Sequence, residues 1–195
     1  MTEAEQISDD FNYFSDGIRI VYLINREVNN TNRQSSRWVK KIITNSKKEY
    51  TEAIEKLLSI RIEPERIYAS VNGRSLKGAI RAFNHAQADA VFQGDEHLYH
   101  FFKDVHNKWI SCLSSPACKV TNHFIIDLDS DDIEGFEKYI YELSWLNPIK
   151  MGHYMVIKKY KTQNGWHLVT TPFDLSLVNY PNCEVKKDAL LLLKY

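Results

Sequence analysis

The run His123-Phe-Ile-Ile-Asp-Leu-Asp-Ser-Asp-Asp132 constrains this chain more than any other segment. Phe124, Ile125 and Ile126 make a short apolar stretch that reads as a buried strand running straight into acids. Side chains alternate along a strand, so Asp127 and Asp129 belong to one face while Leu128 points into the core. Two carboxylates on one face repel each other, and burying that repulsion calls for a compensating cation. Oxygen ligands of this kind suit Mg²⁺ or Mn²⁺. Such a pair can hold two ions that clamp a phosphoryl transfer. The competing reading makes the acids loop and cap residues. For Asp131 and Asp132 that reading is preferred, with one of them capping a helix that runs to about Leu146.

A second informative run is Lys158-Lys-Tyr-Lys-Thr-Gln-Asn-Gly-Trp-His-Leu-Val-Thr-Thr-Pro-Phe-Asp174. Asn164-Gly165 is a strong hairpin signal, and it predicts two strands, 154–159 and 166–171, joined by a tight turn. His167 then stands on the second arm, with Lys158, Lys159 and Lys161 on the first. A histidine among basic residues stays neutral or donates to phosphate oxygens. Gly165 permits close approach of a ligand to the backbone. Alone, a histidine on a strand is more often a satisfied structural residue. There is no HxH or HExxH pattern for zinc. A third acid, Asp188, lies between Glu184-Val-Lys-Lys187 and the apolar run Ala189–Leu193. By itself it reads as a turn residue.

The rest of the chain mixes strands and helices. Strands are expected at 18–24, 39–44, 66–71, 184–187 and 189–194. Helices are expected at 48–58, at 76–92 behind a Ser75 cap, at 95–112 and at 132–146. Residues 29–37 read as a polar loop, 172–178 as a short helix or loop, and 1–17 as a loose leader that can be partly disordered. With a late antiparallel hairpin, no internal repeat and no linker, the order implies one α+β domain of mixed or antiparallel sheets over residues 18–195.

Composition narrows the function classes. Three cysteines without CxxC spacing exclude a disulfide framework and a thiolate zinc site, and fit a reducing cytoplasm. The apolar runs are too short to cross a bilayer, so no membrane partner is expected. Net charge is zero but unevenly spread. Residues 19–87 carry 14 Lys+Arg against 6 Asp+Glu, and residues 88–148 carry 4 against 11. A basic region beside a carboxylate cluster suits a metal-dependent enzyme acting on a polyanion. A mixed solvated surface gives the same totals.

Taken in order, Ile125-Ile-Asp-Leu-Asp129, Gly165-Trp-His167 and Lys187-Asp188 resemble the catalytic core of the archaeo-eukaryotic primase superfamily. That core is marked by an hhhDhD strand, a small-x-His strand and a hydrophobic-Asp element. Arg66-Ile-Tyr-Ala-Ser-Val-Asn72 also resembles a strand upstream of that core in phage- and plasmid-type members. Lys187 departs from the apolar residue expected before the third acid. The resemblance implies an N-terminal α/β unit joined to an RRM-like C-terminal unit. It implies that Asp127, Asp129 and Asp188 hold Mg²⁺ or Mn²⁺ and that His167 contacts the phosphates of a nucleoside triphosphate. It further implies a single-stranded DNA or RNA template, a helicase or other replication protein as partner, and a bacterial or phage-encoded setting. Lys158, Lys161, Gly165 and Arg37 are the expected nucleotide or nucleic-acid contacts, drawn from a wider basic set of Arg33, Lys40, Arg74, Lys77 and Lys159. Two alternatives stay open. One is a non-catalytic nucleic-acid-binding replication accessory of the same fold, and the other is a metal-dependent nuclease.

Overall fold

The computed structural model describes residues 2–10, 17–25 and 37–194, with the backbone alone for residues 9, 10 and 37–39. Within that span the chain is α+β, with seven α-helices and two four-stranded antiparallel sheets. It divides into two compact units. One comprises residues 1–121 with 192–195, and the other residues 122–191. No helix among the described residues is long and apolar enough to cross a membrane.

The first unit is built on the central strand β1 (Arg19–Asn25), flanked by β2 (Arg37–Thr44) and β3 (Glu65–Ser70). β8 (Leu190–Lys194) adds at the β3 edge. The first six residues of β1 are all buried, which explains why its sequence is apolar without alternation. Ser46 caps α2 (Lys47–Ile60), accepting from the Glu49 N–H at 3.2 Å. The helix buries Tyr50, Ala53, Ile54 and Leu57, spaced on one face. Residues 3–10, expected within a loose leader, form α1 (Glu3–Asp10). Ala4 and Ile7 are buried there, and Ser8 Oγ accepts from the Thr51 hydroxyl at 2.8 Å.

Ser75 caps α3 (Leu76–Gln93) as its sequence predicts, accepting from the Gly78 N–H at 3.0 Å. The helix expected over 95–112 is two: α4 (Asp95–Lys103) and α5 (Val105–Ser114). The break falls at Asp104, whose carboxylate accepts from the Asn107 side chain at 2.5 Å. Short acids are poor in helix interiors and favour helix ends.

The second unit centres on β4 (Phe124–Leu128). Its sheet runs β5 (Val156–Lys161), β6 (Trp166–Thr170), β4, β7 (Cys183–Lys187). Phe124, Ile126 and Leu128 lie on one face and pack with Leu168, Phe136 and Ile140, the last two from α6 (Ile133–Leu146). Asp132 caps α6, accepting from the Gly135 N–H at 2.9 Å. Pro148 ends α6 as expected, and a single turn, α7 (Pro148–Met151), follows. The β5–β6 hairpin departs from expectation. Lys161 pairs with Trp166, and the Thr162 N–H donates to the Gly165 carbonyl at 2.8 Å, so Gln163-Asn164 is the turn centre. Neither Asn164 nor Gly165 has a positive φ.

Candidate active site

The face of the second sheet opposite its core carries one continuous chain of polar side chains. Antiparallel register sets Asp127 on β4 directly across from His167 on β6 and from Glu184 on β7, and sets Tyr160 on β5 across from His167. Opposed residues share a face, so four strands deliver four side chains to a single row. His167 Nε2 lies 2.8 Å from Asp127 Oδ1. Tyr160 Oη lies 3.1 Å from His167 Nδ1, with the two rings edge-to-face. Lys186 Nζ donates to Asp127 Oδ2 at 2.5 Å and reaches Glu184 Oε2 at 3.0 Å. The sequence Tyr160, His167, Asp127, Lys186, Glu184 is therefore linked end to end.

Burial strengthens these links. The side chains of Asp127 and His167 are 22% and 15% exposed, against 70% for Glu184. The hydrogen bond from His167 holds the Asp127 carboxyl well below the usual carboxylate range. Burial opposes that shift, and Lys186 adds to it. Burial pulls the Lys186 ammonium down, but its bonds to Asp127 and Glu184 outweigh this and raise it. Asp127 is thus a fixed anion and Lys186 a fixed cation. Cys183, beside them on β7, belongs to the core face, and burial together with the Asp127 charge pushes its thiol up to about 11. It is not poised as a nucleophile.

The structure brings Asp127 and His167 together and disperses the other expected residues. Asp129 follows the end of β4. It is exposed, and its backbone N–H donates to the Asn182 carbonyl at 2.8 Å. Asp188 lies in the turn between β7 and β8, with φ 51°. Because Phe124 pairs with Lys187, Asp188 falls four ladder positions from Asp127, about 13 Å at 3.3 Å per residue. It does not join the row. Glu184, which carries no motif signal in the sequence, is the acid that the register sets across from Asp127. Among the described residues, no group of three or more His, Cys, Asp or Glu is placed to hold a metal ion.

The basic candidates sort by face. Lys158 pairs with Val169 and shares the face of His167. Lys159 and Lys161 face the other way. Lys159 binds Glu137 at 2.8 Å, and Lys161 binds Asp131 while lying over the Trp166 ring at 5.2 Å. Arg74 is buried and donates to the Ser115 carbonyl, a structural role in the first unit. The Arg37 side chain, Arg33 and the loop over 29–36 lie outside the described residues. Gly165 is needed for close approach, but to the protein's own backbone. A Cβ there would meet the Leu128 carbonyl oxygen at 1.9 Å and the Ser130 nitrogen at 2.7 Å.

Comparison with protein families, curated proteins and solved structures finds no match to this chain.

Proposed function

We propose that the second unit carries out template-dependent nucleotidyl transfer of the primase-polymerase kind, centred on Asp127 and His167. One observation carries the reading. The two segments singled out by their ordered motifs lie forty residues apart in sequence, yet their Asp and His side chains meet at 2.8 Å across adjacent strands. His167 orients the Asp127 carboxylate, and its hydrogen bond lowers the carboxyl pKa further below the ordinary value. Lys186 balances that charge and, with Lys158 on the same face, supplies cations for phosphate oxygens. The donor set suits a hard divalent ion in kind. Asp127 and Glu184 already share one cation, the Lys186 ammonium, and Asp129 is exposed two residues beyond Asp127. Mg²⁺ or Mn²⁺ in the place of that ammonium, between Asp127 and Glu184, would lower the pKa of a 3′-hydroxyl and stabilise charge on the phosphoryl group.

A second reading, a nucleic-acid-binding relative without chemistry, draws on a specific feature: both Asp127 oxygens are engaged by His167 and Lys186. One experiment separates the readings. The protein is incubated with a single-stranded template, labelled ribo- or deoxynucleoside triphosphates and Mg²⁺ or Mn²⁺. Newly made strands support nucleotidyl transfer. Binding without synthesis supports the accessory reading, and shortened template supports a nuclease.

A further inference from the structure

We propose that Tyr160 is a nucleophile, accepting a nucleotidyl group on its phenolic oxygen from a nucleoside triphosphate bound at this face. The inference rests on the nucleotide reading above and adds to it a covalent intermediate on the protein. Its geometry is that of an activated nucleophile: a hydroxyl within hydrogen-bond reach of a base that is itself oriented by a third group. Tyr160 Oη stands 3.1 Å from His167 Nδ1, and His167 Nε2 stands 2.8 Å from Asp127 Oδ1. Nε2 is turned to Asp127, a carboxylate that only accepts, which leaves Nδ1 as the ring nitrogen that faces the phenol. No other hydroxyl in the row has this arrangement. Tyr160 is half-buried. Two residues earlier on the same strand, Lys158 shares its face, about 7 Å away along the chain, where it can hold phosphate oxygens.

The step balances. The Tyr160 oxygen attacks the α-phosphorus of the triphosphate, supplied as its Mg²⁺ salt, and an O–P bond forms. The bond from the α-phosphorus to the α–β bridging oxygen breaks, and pyrophosphate leaves with the electron pair. The phenolic proton passes to His167 Nδ1 and from there to solvent. The product is a nucleoside monophosphate esterified to Tyr160, whose free 3′-hydroxyl can start a strand.

The test uses the full chain, α-labelled nucleoside triphosphates and Mg²⁺. Denaturing electrophoresis reads covalent label, and peptide mass spectrometry locates it. Nucleotide binding is measured in parallel by equilibrium dialysis. The expected result is label on Tyr160, none in Tyr160→Phe, and a rate lowered on the order of 100-fold in His167→Ala. Thermal unfolding confirms that each variant is folded. Protein that binds or polymerises nucleotide without label on Tyr160 overturns this inference and leaves the nucleotidyl-transfer reading standing. Label on another of the 11 tyrosines overturns it equally. Protein that neither binds nor incorporates nucleotide overturns both.

Discussion

Replacing Gly165 with alanine tests the geometry that sets the site. The added Cβ would stand 1.9 Å from the Leu128 carbonyl oxygen, roughly 1.5 Å inside van der Waals contact, with backbone rather than a flexible side chain as the obstacle. The strand ends must part to relieve this. The pairs Leu128–Trp166 and Asp127–His167 lie one and two residues from Gly165 on β6, so they are the first to open. Losing two ladder hydrogen bonds costs about 2 kcal/mol, and disturbed packing around Leu128 brings the total to about 3 kcal/mol. For a chain of 195 residues that corresponds to a fall in Tm of roughly 6–12 °C. Differential scanning calorimetry and urea titration measure it. The same variant is expected to broaden or shift the His167 ring signals in NMR, because its partner across the ladder moves. Asn164→Ala serves as contrast and is expected to stay within about 0.5 kcal/mol of wild type, since Asn164 has no positive φ to protect. A Gly165→Ala protein as stable as wild type would refute the steric argument and with it the hairpin register.

Two further predictions concern stability. Asp127 has a folded pKa below its unfolded value, so its contribution is present above about pH 4 and is lost as pH falls through the folded value. The stability gap between wild type and Asp127→Asn, measured by urea unfolding, is therefore expected to shrink steadily from pH 5 to pH 2.5, and a gap that does not change with pH would refute the pairing. Asp132→Ala removes the α6 cap and the bond from the Tyr180 hydroxyl, and is expected to cost about 1 kcal/mol in the same assay.

Much of this architecture was legible in the chain. The apolar strand into Asp127, the Ser75 and Asp132 caps and the α2 periodicity each arise from local physics, and the structure has them where the sequence places them. What was not legible depended on register. Asn164-Gly165 taken as the turn centre sets Thr162 opposite His167. The observed centre, Gln163-Asn164, slides the pairing by two residues and brings Tyr160 to the imidazole instead. The reason is that Gly165 is spent on packing against β4, a contact invisible from local sequence. In the same way, Glu184 and Lys186 are an i, i+2 pair on one strand face. That alternation was visible, but only the β4–β7 register shows that Glu184 stands across from Asp127, with Lys186 two residues along on the same face, and that Asp188 falls beyond reach. The Asp104 break in the long helical segment is a milder case, a single short acid at which an otherwise helical pattern is interrupted.

A nucleotidyl-transfer site at the Asp127–His167 pair has to fail when the carboxylate is neutralised. Incorporation of labelled nucleotide into new strands on a single-stranded template, compared between wild type and a folded Asp127→Asn variant, tests it most directly. Wild type is expected to synthesise strands with Mg²⁺ or Mn²⁺, and the variant to lose about 100- to 1000-fold, the scale seen when a group that stabilises developing charge is removed. Equal incorporation by the two proteins, or none by wild type under any template and nucleotide, would contradict it.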